Sequence, residues 1–270
     1  MYKNYWLSLL LLGLTTGCSS STETDGASGD SGSDSATPSG DFEDCILGQP
    51  TGEIPEVLHS STGVQSTTAH GEFQKSILVN GITLVAKNDV SDAFLLNIAQ
   101  TITELFPEYD SPEQQSVLES LYAYQATIPV FAGGEAGVDI EAIESIESKA
   151  SICDIIMQDV EYGQAMEVLE HILHHASNIG LNKAMSDSWG LSKNSALFEV
   201  MQQAIDNGIY GIRDYEEIPE EAIRNRVLLQ EFAYWIITSY WDLQTRYGPE
   251  PSSEWTARTT RELKEKLPDA

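Results

Sequence analysis

Phe73-Gln74-Lys75-Ser76-Ile77-Leu78-Val79-Asn80-Gly81-Ile82-Thr83-Leu84-Val85-Ala86-Lys87 reads as two apolar-rich strands joined by Asn-Gly, the dipeptide that best tolerates the positive φ angles of a tight hairpin turn. Downstream, the spacing changes from strand-like to helical. Ser91 is placed to cap a helix in which Phe94, Leu95, Ile98, Ile102 and Leu105 recur at three and four residues until Pro107 ends it. Ser111-Pro112-Glu113-Gln114 opens a second helix, with Pro at its first position. Gln125 to Ala132 reads as a strand, and Pro129 within it predicts an edge position. The stretch from Ile140 to Val160 fits helix and strand equally well. Helices are then expected over Gly163–Ser177, with Gly180 near its end, Ser192–Asn207, Pro219–Tyr247 and Glu254–Lys266. Strands early and helices late, without regular alternation, predict an α+β domain and not a doubly wound one. There is neither an internal repeat nor a phosphate-cradling glycine loop.

The N-terminus reads as an address. Residues 1–17 form an export signal in which Lys3 is the only charged side chain, and its apolar run is too short to span a bilayer. Gly17-Cys18 at its end resembles the bacterial lipobox, which implies acylation of Cys18 and a lipid anchor in the cell envelope. Ser19 in the next position is compatible with the outer membrane. Residues 18–44 are almost entirely Ser, Thr, Gly, Ala, Asp and Glu, too poor in apolar surface to offset ordering entropy, so they are expected to be a solvated tether before a globular domain over 45–270.

Fourteen basic against 42 acidic residues give a formal net charge of −28. Such a chain is a poor partner for nucleic acid or anionic lipid, both polyanions, so acylation and not electrostatics would hold it at a membrane. With Cys18 acylated, Cys45 and Cys153 remain in an oxidising compartment. One disulfide closing a 108-residue loop is the simplest reading, worth roughly 4 to 5 kcal/mol in the chain-entropy model.

Chemistry is concentrated in Val168-Leu169-Glu170-His171-Ile172-Leu173-His174-His175, which holds three of the five histidines. On a helical wheel Ala165, Leu169, Ile172, Leu173 and Ala176 form an apolar stripe, and Glu167, Glu170, His171, His174 and His175 point away from it. His171 with His175 at i, i+4, or His171 with His174 at i, i+3, could deliver two imidazoles to one metal ion. In the longest helix Glu231 falls on the stripe of Val227, Leu228 and Trp235, where a bare carboxylate is costly. It calls for a metal bound by the histidine helix, or for a basic side chain such as Arg224 or Arg226.

In order and spacing of elements, roughly from Ile77 to Leu243, this arrangement resembles the zincin-type zinc metallopeptidases related to anthrax lethal factor. That family carries His-Glu-x-x-His on its active-site helix and a downstream Glu as third zinc ligand. The resemblance implies a zincin-like α+β fold, zinc held by His171, His175 and Glu231, and a peptide or protein as substrate or partner. It also implies a defect, because Ile172 occupies the position of the catalytic Glu and cannot take a proton. A second arrangement restores a base: His171 and His174 bind the metal, and Glu170 takes the part of the Glu in an inverted His-x-x-Glu-His motif, with Glu167 one turn earlier as a further carboxylate. Tyr210, Tyr215 and Tyr234 are the candidates for stabilising an oxyanion. The contrasting expectation is a non-enzymatic envelope lipoprotein that uses the same scaffold for partner binding, without metal.

Overall fold

The computed structural model describes residues 45–108, 111–134, 137–160, 163–249 and 251–270. The export signal, Cys18 and the tether lie outside the described residues. The described ones belong to one compact unit, Glu43–Ala270.

The hairpin of β2 (Phe73–Val79) and β3 (Ile82–Ala86) forms as the sequence predicts. Asn80 and Gly81 have φ of 47° and 83°, so the turn consists of two left-handed residues, a conformation that glycine adopts freely and asparagine tolerates. β1 (Gln65–His70) adds an antiparallel edge to β2. Its sequence, Gln-Ser-Thr-Thr-Ala-His, has no apolar alternation because most of it faces solvent. The chain then runs through α1 (Asp92–Leu105) and α2 (Pro112–Ala123) and returns as β4 (Thr127–Phe131), parallel to β3. Ser91 and Ser111 cap the two helices through bonds to the backbone N–H groups of Phe94 and Gln114.

β4 is not the edge that Pro129 predicts, because β5 (Ile156–Met157) pairs with it and the sheet order is β1-β2-β3-β4-β5. The proline is tolerated for a local reason. The Thr127 N–H bonds the Ser151 carbonyl, and strand alternation points the nitrogen of residue 129 the same way, toward the gap before β5 pairing starts at Val130 and Ile156. The ambiguous stretch resolves into both structures: α3 (Ile140–Glu144), a 3₁₀ turn over Glu147–Lys149, and β5.

One face of the sheet, with Ile77, Val79, Ile82, Leu84, Ala86, Ile128 and Val130, packs on Leu95, Ile98 and Ile102 of α1 and on Val117, Leu118 and Leu121 of α2. Val168 and Ile172 of α4 (Gln164–His175) join the same cluster, so these two residues anchor the histidine helix directly onto the core. Past His175 the chain does not stop at Gly180. It widens into a π-helical stretch over Ala176–Leu181 and continues through α5 (Asn182–Ala184). Gly180 serves contact and not termination, since a Cβ there would stand 2.8 Å from Val117 Cγ1 on α2. Gly180→Ala is therefore expected to cost about 1 to 3 kcal/mol by overpacking, read as a lower urea midpoint with an unchanged slope.

After α6 (Ser186–Trp189), Ser195 caps α7 (Ala196–Asp206), and Gly208, with φ of 65°, follows its end. Among the described residues the longest helix is α8 (Glu221–Tyr240), shorter at both ends than the apolar pattern predicts, and α9 (Thr260–Lys266) follows it. No helix among the described residues is long and apolar enough to cross a membrane. Cys45 and Cys153 are joined by a disulfide, beside a bridge in which Ile46 and Ile152 exchange both backbone hydrogen bonds.

Candidate metal centre

α4 is buried on two flanks, so its polar face is not solvated. One flank looks toward the sheet and belongs to His175, which is fully buried. Its Nδ1 donates to the His171 carbonyl at 2.8 Å, and its Nε2 accepts from the Cys153 backbone N–H at 3.0 Å. Burial, only partly offset by the His171 carbonyl and the Asp154 charge, pushes this imidazole down to about 4, so it is neutral. With both nitrogens committed to backbone it has no lone pair for a metal. Its Nε2 also lies 3.0 Å from the Thr127 carbonyl, and His175 stands apart from the group of possible metal donors that the structure brings together.

The other flank looks toward α8. His174, 1% exposed, lies between two carboxylates from different elements. Asp154, just before β5, accepts from its Nδ1 at 2.9 Å, and Glu231 of α8 places Oε1 3.7 Å from its Nε2. Gln230 Nε2, an amide donor, also sits 3.1 Å from Nδ1, but the charged Asp154 carboxylate can only accept and makes the stronger bond, so it sets the tautomer with hydrogen on Nδ1. Nε2 then faces Glu231, and this buried nitrogen has no hydrogen-bond partner. An acceptor nitrogen turned on a carboxylate inside a protein is repulsive unless a cation lies between them.

Glu170, one turn before His174, completes the group. One donor atom each from Glu170, His174 and Glu231 lie within 4.8 Å of one another. Two metal-ligand bonds of about 2.0 to 2.2 Å placed end to end span slightly less, so small side-chain rotations close the site around one divalent ion. The carboxylate expected as a base thus stands among the donors, and the meeting of the histidine helix with Glu231 is present.

His171 lies beside this trio, its ring centroid 5.9 Å from that of His174. Its Nε2 is 3.5 Å from Asp154 and its Nδ1 3.5 Å from Glu167. Burial would lower it, but Asp154, then Glu167, Glu170 and Glu231, raise it to about 9, so it is an imidazolium at neutral pH. In that state it offers no lone pair either. Burial would raise Asp154, yet the His171 charge, the hydrogen bond from His174 and the Ile155 N–H hold it below the ordinary carboxylate range. Glu167 moves the opposite way: burial raises it, with His171 opposing.

Ile172 is wholly buried in the core cluster and does not face these groups, so it is not at the position of a catalytic base. Among the tyrosines, Tyr234 presents its ring edge-on to His174 at 6.2 Å. Tyr215 bonds Glu254 at 2.7 Å and is raised well above its usual value by burial and then by Glu231, which places it in the field of the site. Tyr210 lies in an aromatic core with Phe232 and Trp255 and bonds the Leu228 carbonyl. Arg224 is spent on the Ile218 carbonyl before α8.

The residue that sequence reading missed is Asp154. Its signal was an acid set in the apolar run Ile152-Cys153-Asp154-Ile155-Ile156, the same signal by which Glu231 was noticed. No protein-family model matches this chain, and neither a curated protein nor a solved structure is significantly similar to it.

Proposed function

We propose that this chain is an exported, lipid-anchored envelope protein whose folded part binds one divalent cation, zinc, through Glu170, His174 and Glu231. The observation that carries this reading is the buried His174 Nε2, oriented by Asp154 toward Glu231 and lacking a hydrogen-bond partner. Asp154 plays the part of the outer carboxylate that fixes the ring of a metal-bound histidine. For a given nitrogen and oxygen donor set, zinc binds more tightly than manganese or iron(II).

The donors lie in a frame one residue earlier than the peptidase resemblance first implies. Glu170-His171-Ile172-Leu173-His174 has the spacing of His-Glu-x-x-His with its first two residue types exchanged, and Glu231 stands for the downstream Glu. The position of the general base is then His171, which at about 9 is already protonated and cannot accept a proton from water at neutral pH. Three protein donors leave a fourth position at which zinc would bind and acidify water. Glu167, raised by burial, is the remaining candidate base. The reading is therefore a zincin-like metal site with weak or lost activity toward peptide or protein.

The same imidazolium favours a second reading. A charged His171 among four carboxylates can serve as a metal-free polar network in a non-enzymatic envelope protein that binds partners. Elemental analysis decides between the two. Untagged protein dialysed against zinc and then against buffer is expected to retain one zinc per chain. Substoichiometric metal supports the second reading and removes the first.

A further inference from the structure

We propose that the Cys45–Cys153 disulfide is a redox gate on the cation site, and that its reduction by a dithiol weakens cation binding. This rests on the site proposed above and concerns its regulation. The argument is one of connectivity. Both groups that approach His174 Nδ1 are held by the two halves of this disulfide. On one side, Cys153 immediately precedes Asp154, the carboxylate 2.9 Å from Nδ1, and the Cys153 N–H is fixed on His175 Nε2. On the other, Cys45 Sγ accepts from Asn178 Nδ2 at 3.1 Å and lies 3.6 Å from Gln230 Oε1. The second hydrogen of the Asn178 amide goes to the same Gln230 oxygen, and Gln230 Nε2 reaches 3.1 Å from His174 Nδ1.

One covalent bond thus joins Cys45 to Cys153, and hydrogen bonds from its two ends reach α4, the π-helical stretch that carries Asn178 and, through Asn178, α8 one residue before Glu231. The backbone bridge between Ile46 and Ile152 is not part of the disulfide and would hold the segment in register after reduction. What is lost is the position of the two sulfurs, and with it the restraint on Asp154 and on the Asn178–Gln230 pair.

The chemistry balances with a dithiol as reductant. Its thiolate attacks the sulfur of Cys45, the less buried of the two residues, and Cys153 leaves as thiolate and takes a proton. The second thiol of the reductant then attacks the mixed disulfide, becomes oxidised to a cyclic disulfide, and frees Cys45 as a thiol. Two electrons and two protons enter the protein.

Zinc titration by calorimetry on three samples tests the gate: oxidised full chain, chain reduced with a phosphine and freed of it without air, and Cys45→Ala/Cys153→Ala. Binding is expected to weaken about tenfold in the second and third, since loss of an orienting partner typically costs 10- to 100-fold. A parallel measurement needs no metal. The His174 ring N–H proton bonded to Asp154 should give a downfield resonance in the oxidised protein that broadens or disappears on reduction. If the alanine pair fails to fold, Asn178→Leu, which cuts one arm and keeps the disulfide, should weaken zinc binding in the same direction. Absence of binding to the oxidised chain overturns the site and the gate together. Equal affinity in oxidised and disulfide-free protein, with the ring N–H unchanged, overturns the gate and leaves the site standing.

Discussion

His174→Ala is expected to abolish zinc uptake, while His175→Ala, one residue along, is expected to leave zinc bound to a less stable protein. The two side chains are equally buried, so the contrast depends on where their lone pairs point. His174 offers Nε2 to Glu231 and Glu170, and removing it takes one of three donors, so the loss should exceed the about 100-fold that loss of an outer partner can cost. Glu231→Ala should behave alike. His175 serves the fold: without it the Cys153 N–H and the His171 carbonyl lose buried partners and a cavity opens, at a cost of about 2 to 4 kcal/mol. In a domain of this size that is roughly 5 to 15 °C in melting temperature.

Thermal unfolding with and without zinc reads both effects at once. Zinc at 100 times its dissociation constant adds about 2.7 kcal/mol to the folded state. His175→Ala should melt earlier but keep the upward shift with zinc. His174→Ala and Glu231→Ala should show no shift. A shift retained in His174→Ala would place the ion elsewhere.

The α+β class was legible because its signals are local. Asn80-Gly81 fixes a hairpin whatever surrounds it, and Ser91 and Ser111 satisfy helix ends with their own side chains. β1 was not legible, since a polar strand on a sheet edge has no apolar face to display. At the site, periodicity set all the polar residues of α4 on one face away from Leu169 and Ile172, whereas His175 is fully buried toward the sheet. It could not say which flank of that polar face meets α8. Glu170 with His174 and His171 with His175 are both i, i+4 pairs, about 100° apart around one helix. Choosing between them requires the second helix and the Cys153 segment, contacts separated by tens of residues. Glu231 was readable by cost, as a carboxylate inside an apolar run, which a folded chain retains only beside a cation or donors; Asp154, which was missed, carries the same signal.

The metal-free protein should be most stable near pH 6.5 and lose about 2 kcal/mol toward both pH 4.5 and pH 9, through two histidines of opposite displacement. His171 sits at about 9 in the folded protein against an ordinary value of 6.5, so its contribution is complete below pH 6.5 and drains away as pH rises through 9. His175 sits at about 4, so it is neutral in the fold, and the unfolded chain gains a proton that the folded one refuses as pH falls from 6.5 toward 4. A displacement of about 2.5 units is worth about 3 kcal/mol at full extent, of which these pH limits capture most. Asp154, held low, adds to the acid loss, and Glu167, held high, opposes it. Single variants separate the contributions. Urea unfolding at the three pH values should show that His175→Gln flattens the acid side and His171→Gln the alkaline side. An alkaline loss that persists undiminished in His171→Gln would mean that this ring carries no charge in the folded protein, and the four carboxylates around it would then depend on the bound cation for neutralisation.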